Sequence, residues 1–259
     1  MKALSSVDSN LVRRLPLGAL PLVTHTTALT GDWFADLIRI PGGEMTYREF
    51  WSYYQSDLLR QMGEHFAVVA IAAGIAAVLG IAMSMAVYRR DGVSELLIRI
   101  TSTMLTIPSL ALYVLLLGIT GLGWSPVLVA LTIYALCPIV QNTIVGLRGV
   151  DPAAIEAATG IGMLRWQTLA RVEIPLAWPL ILTGIRIAAA LLVSTAAIGA
   201  VVLGPGLGNA IYAGLNRIGS PVALYFALSG LVGAAIVGLL LSGAFSIIQK
   251  LTVSRGIRG

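Results

Sequence analysis

The chain has 259 residues, of which 57% are hydrophobic and 11% charged, and its formal net charge is +5. A soluble domain carries about 25% charged residues, so the polar surface here is too small to cover a globule in water, and the bilayer is the natural solvent. The basic residues are sparse and most sit at the ends of apolar runs, which argues against a nucleic-acid surface, and the single cysteine, Cys137, rules out an intrachain disulfide.

Residues 1–64 hold six basic and seven acidic residues and say little about sidedness. Leu15 to Val23 is apolar but too short to span, and Arg13-Arg14 before it gives a signal-like start with no clean cleavage site. No sixth, N-terminal crossing is expected. From Tyr47 to Met62, "YREFWSYYQSDLLRQM" places aromatic residues and leucines at helical spacing with charges between them. That pattern predicts a helix lying in the membrane interface, within an extracytoplasmic extension over 1–64.

Five runs are long and apolar enough to cross the hydrocarbon core: Phe66–Tyr88, Leu96–Ile119, Pro126–Leu147, Ala177–Leu203 and Pro221–Ile248. Together they make an all-α membrane domain over 65–250, followed by a tail at 251–259. Pro108 and Pro138 interrupt the second and third runs. Such breaks are tolerated where protein or water satisfies the freed backbone groups. Basic residues fix the orientation. With five spans, the 88–99 region, the 148–175 insert and the tail share a side and hold nine arginines and lysines; the loops 120–125 and 204–220 hold only Arg217. The insert and tail are therefore cytoplasmic.

The insert, between the third and fourth spans, reads as built rather than slack. Asp151 is an N-cap with Pro152 at the first helical position. Gly160 and Gly162 end that helix with a sharp turn. "MLRWQTLARV" forms a second short helix, which Pro175 stops before the fourth span. Ala157 and Ala158 offer a low-profile face, and Glu156, Arg165 and Arg171 offer charges at its rim. An element held at both ends by membrane helices would pass a push on to the third and fourth spans. A neatly folded loop with no partner is the plainer alternative.

Several kinds of chemistry lack their residues. Arg186 is the one charge well within a span, and no carboxylate sits mid-span, where ion-driven carriers commonly place one. The two lysines, Lys2 and Lys250, follow no glycine, so no phosphate-binding loop is present. "GPGLG" at 204–208 follows no strand. His25 and His65 are far apart, and no metal cluster or catalytic triad is evident. If the chain moves a solute uphill, the energy must come from another chain.

The insert also resembles a known family. Glu156-Ala157-Ala158, three residues, Gly162, nine residues and "VEIP" ending at Pro175 is similar to the E-A-A motif of binding-protein-dependent ABC importer permeases, with Val172 and Ile174 as mild departures. "TIPSLAL" at 106–112, "GVDPAAIEAATGIGMLRW" at 149–166 and "GIRIAAA" at 184–190 resemble the permeases that import osmoprotectants: glycine betaine, choline, carnitine or proline betaine. The similarity runs from about residue 64 to 250. The chain departs from that pattern at Pro205, where the family's loop usually reads "GAGGLG", and at Leu105, where it has Gln.

The resemblance implies a type I importer permease in a bacterial plasma membrane. It implies a coupling helix formed by Glu156, Ala157, Ala158, Gly160, Gly162, Arg165 and Pro175. It implies a cytoplasmic ATPase dimer holding ATP and Mg²⁺, a second permease subunit of the same or a related chain, and an extracytoplasmic solute-binding protein. The chain itself would hold no cofactor and hydrolyse nothing. Thr106, Pro108, Ser109 and Arg186 are expected beside the translocation path, and the spans' few aromatic residues, mainly Tyr113, Tyr134, Tyr225 and Phe226, form no evident ammonium cage. An importer of amino acids or another small polar solute is the nearest alternative; a channel or a membrane scaffold lies further off.

Overall fold

The computed structural model describes residues 45–252, and the structural statements below concern those residues. All regular structure among them is helical. Helix α1 covers Tyr47–Val87. Thr46 and Glu49 cap its start reciprocally, the Thr46 hydroxyl accepting from the Glu49 amide and the Glu49 carboxylate from the Thr46 amide. At about 1.5 Å per residue, the helix is a rod of about 60 Å, twice the ~30 Å hydrocarbon thickness. The stretch 47–62, expected in the interface, and the first span, expected from Phe66, form one uninterrupted helix. Phe50 and Leu58 within it are buried. The Phe50 ring meets Tyr225 and Phe226 with centroids 5.6 and 4.8 Å away.

The second apolar run is two half-helices, α2 (Asp91–Thr106) and α3 (Ser109–Thr120), bent by 95° at the break. The cause is Pro108, which forces Ile107 into extended backbone with ψ 129°. The Ile107 carbonyl left over accepts from the Tyr134 hydroxyl at 2.9 Å. Tyr113 pins α3 from the other side by donating to the Thr195 carbonyl at 3.0 Å.

Helix α4 (Trp124–Arg148) is the centre of the domain. Pro138, expected to interrupt it, lies inside a continuous helix: the flanking Ile139 and Val140 are fully buried, so packing holds the element together through the missing hydrogen bond. After α4 come α5 (Pro152–Gly160) and α6 (Arg165–Thr168), a π-helical turn at Leu169–Glu173, and α7 (Ile174–Ile198) with a 3₁₀ turn at Gly199–Val202. Then follow α8 (Gly208–Leu215) and α9 (Ala223–Thr252). Helix α8 replaces what the sequence predicts as a loop. Four helical stretches are long and apolar enough to cross a membrane, and the bent α2–α3 pair makes a fifth.

Small residues set the approach of these helices. Ala76, Gly80 and Ser84 are buried on the face of α1 that meets α4, where a Cβ on Gly80 would lie 2.8 Å from Ile139 Cγ2. Gly184 brings α7 against α4 so closely that a Cβ would lie 2.8 Å from the Pro138 carbonyl oxygen. Gly233 likewise meets the Leu207 side chain, 3.0 Å from where its Cβ would be. Gly74, on the same helix as Gly80, has open space beside it.

Candidate functional site

The insert is built by local rules. Asp151 accepts from the Ala153 amide at 2.9 Å, and Pro152 opens α5 without losing a needed donor. The helix ends in a Schellman turn: the Met163 amide donates to the Ala158 carbonyl at 3.1 Å and the Gly162 amide to Thr159 at 3.0 Å. This turn needs φ +85° at Gly162, a conformation that costs a side-chain-bearing residue energy. Gly160 has no such role, with neither a positive φ nor a neighbour where its Cβ would be. Gln167 then starts α6 by accepting from the Leu164 amide at 2.9 Å.

Two expectations change here. Ala157 and Ala158 do not share a face: Ala157 is exposed and Ala158 is buried, because adjacent helical residues point about 100° apart. Pro175 does not stop a helix. Residues 165–202 run as one helical stretch into the fourth span. The π-helical turn just before Pro175 is the reason: the Ile174 amide reaches back five residues to the Leu169 carbonyl, and this widened turn accommodates the proline ring.

At the tip of the insert, Ile161, Leu164 and Trp166 are 76%, 59% and 63% exposed. Glu156, Arg165 and Arg171 are exposed as well, and none forms an ion pair among the described residues. The result is a rigid, capped tip with apolar residues on top and open charges of both signs around it.

The root of the insert is the reverse. Glu173, on the π turn, is 1% exposed. Its carboxylate accepts from the Tyr88 hydroxyl at 2.6 Å and from the Arg89 guanidinium at 2.5 Å. Arg148, at the end of α4, donates to the Tyr88 carbonyl, to Asp91 and to Ser94 at 2.8, 2.7 and 2.6 Å. One polar network thus joins the end of α1, the start of α2, the end of α4 and the start of α7. Sequence reasoning missed Glu173, the second residue of "VEIP". Its signal is a lone acid at the foot of an apolar run, which demands a partner.

The residues expected along a path do not converge. Thr106 is exposed and its hydroxyl donates to the Thr103 carbonyl of its own helix, while Pro108 and Ser109 lie at the bend between α2 and α3. Arg186 lies elsewhere, in a groove of about 670 Å³ between α7 and α9, where it donates to Ser242 Oγ at 3.1 Å. None of the residues 106–109 lines that groove.

The family described as "Binding-protein-dependent transport system inner membrane component" matches residues 66–256. An osmoprotectant import permease protein, OsmY, of Salmonella typhimurium is 37% identical over 190 residues, covering 73% of this chain and 80% of the relative. The glycine betaine/carnitine/choline transport system permease protein OpuCB of Bacillus subtilis is 31% identical over 206 residues, covering 78% and 92%. Among solved structures, a chain of the MetNI methionine ABC transporter in an inward-facing conformation superposes with a TM-score of 0.67 at 23% identity, covering 76% of this chain and 96% of that one.

Proposed function

The chain belongs to the family of inner-membrane components of binding-protein-dependent transport systems, and we propose that it is the permease subunit through which an ATP-driven importer passes a small quaternary-ammonium osmoprotectant. Its multi-pass helical fold is that of type I importer permeases. The solute class follows one relative named for osmoprotectant import and another named for glycine betaine, carnitine and choline transport. The membrane is the bacterial plasma membrane, with the insert on the cytoplasmic side.

One observation carries the coupling role: a stiff insert whose exposed tip is apolar. Exposed apolar residues in water stabilise nothing by themselves, and their burial in a partner's cleft removes that surface from solvent. The partner is a cytoplasmic ATPase. Glu156, Ala157, Gly162 and Arg165 shape and edge the docking surface; Ala158 seats α5 from below. Gly160 closes α5 just before the Gly162 turn, and Pro175 lies at the start of the fourth span.

The mechanism is alternating access. ATP binding closes the two ATPase subunits, and each draws a docked insert with it. Because residues 165–202 form one helical stretch, displacement of the tip tilts the fourth span directly. The network around Glu173 carries the same displacement to α1, α2 and α4. Two permease subunits enclose the path, which opens outward to a loaded binding protein and is reset by hydrolysis.

The test is capture of the ATPase in detergent by wild type, Gly162→Asp and Glu156→Lys, with membrane insertion of each checked in parallel. Wild type retains the ATPase and the two variants lose it while inserting normally. Full retention by both variants, or no ATPase with wild type, overturns the coupling role.

A further inference from the structure

Arg186 stands at the midpoint of α7, the fourth span. A guanidinium has five N–H donors and a charge that does not titrate. Here the structure gives it one partner, the Ser242 hydroxyl on α9, and no carboxylate pairs with it among the described residues. The bond to Ser242 ties the side chain to the neighbouring helix α9. An unpaired cation at this depth is costly, and it marks a place where an anionic group is received or water is held.

The groove around it has the shape and chemistry for such a group. Its volume of about 670 Å³ is large enough for a small organic solute. Ala190, Ser194 and Ala235 line it with small side chains, and they are exposed, so the groove opens on the outer surface of the chain. On α9, Phe245 follows Ser242 by one helical turn on the same face and also lines the groove. A charged fork therefore sits beside an apolar, partly aromatic wall.

We infer that this groove is a solute-binding site in which Arg186 recognises a carboxylate, so that the chain favours betaine-type zwitterions over purely cationic quaternary ammonium solutes. The fork of guanidinium donors left free by Ser242 matches the two oxygens of a carboxylate. The methylated ammonium at the other end of a betaine presents an apolar surface with diffuse charge, suited to the alanine wall and the face of Phe245. The inference rests on the solute class proposed above and adds to it a basis for discrimination inside the membrane.

The experiment is uptake of glycine betaine and of choline into proteoliposomes holding the assembled transporter, with wild type, Arg186→Gln and Arg186→Lys. ATPase capture by each variant reports assembly. In Arg186→Gln, betaine uptake falls about tenfold or more while choline uptake stays within about twofold of wild type. Arg186→Lys, which keeps the charge and loses the fork, falls between. Unchanged betaine uptake in Arg186→Gln, or an equal fall for both solutes, overturns the site. If wild type carries betaine alone, partial rescue by lysine relative to glutamine supports the site and equal loss overturns it. If wild type carries choline alone, the solute class stands and the carboxylate site falls. If wild type carries neither, the solute class fails and the inference fails with it.

Discussion

Two charged residues on the same helical stretch have opposite surroundings. Glu173, at the root of the fourth span, is buried and holds the Tyr88 hydroxyl and the Arg89 guanidinium. Arg186, thirteen residues further on, is exposed in the isolated chain and bonded to a single serine. A buried charge must be satisfied by the fold itself, and so it becomes part of the scaffold. A charge that the fold leaves open is available to something that comes and goes. The satisfied residue links helices; the open one is the residue proposed to meet the solute.

The largest effect on stability is expected from Glu173→Ala. It leaves the buried Tyr88 hydroxyl without its acceptor, at about 1–3 kcal/mol, which a lower thermal midpoint in detergent will report. A midpoint equal to wild type would break the distinction, for Glu173 would then be dispensable to the scaffold. Next comes Gly162→Ala. Alanine at φ +85° costs about 1–2 kcal/mol, felt within the insert, so ATPase capture weakens while the spans melt as before.

Arg89→Ala ranks third. Its side chain is 46% exposed, and water replaces part of what the Glu173 carboxylate loses, so the thermal midpoint falls by less than in Glu173→Ala. The smallest thermal effect belongs to Arg186→Gln, whose midpoint stays at wild type even as solute selection changes. A large thermal loss there would make Arg186 scaffold and erase the contrast. Trp166→Ala sharpens the matter at the tip: the exposed indole adds nothing to thermal stability, yet its removal reduces ATPase capture.

The sequence made the spans legible because a bilayer demands long apolar runs. It made the insert legible because caps and turns are local: Asp151, Pro152 and Gly162 sit where their neighbours alone require them. What it hid depends on distant contacts. Pro138 looks like a break until the packing around Ile139 and Val140 is known. Pro175 looks like a stop until the π turn before it is seen. Glu173 finds Arg89 across 84 residues of chain, and no local pattern announces that pairing. Arg186 was visible as an oddity, but Ser242 and the groove were not. Helix α8 was masked by its glycines, which lower helix propensity and here permit close packing: a Cβ on Gly208 would lie 1.9 Å from the Ala197 carbonyl oxygen.

The length of α1 has a mechanical consequence. Its outer end is clasped by rings, with Phe50 and Tyr54 against Phe226 and the Arg217 guanidinium 4.7 Å above that same ring. Its inner end runs straight into Tyr88 and Arg89, the residues that grip Glu173. One uninterrupted helix held by side chains near both ends is a strut: a tilt at Tyr88 and Arg89 is felt at Phe50 and Tyr54, about 60 Å away at about 1.5 Å per residue.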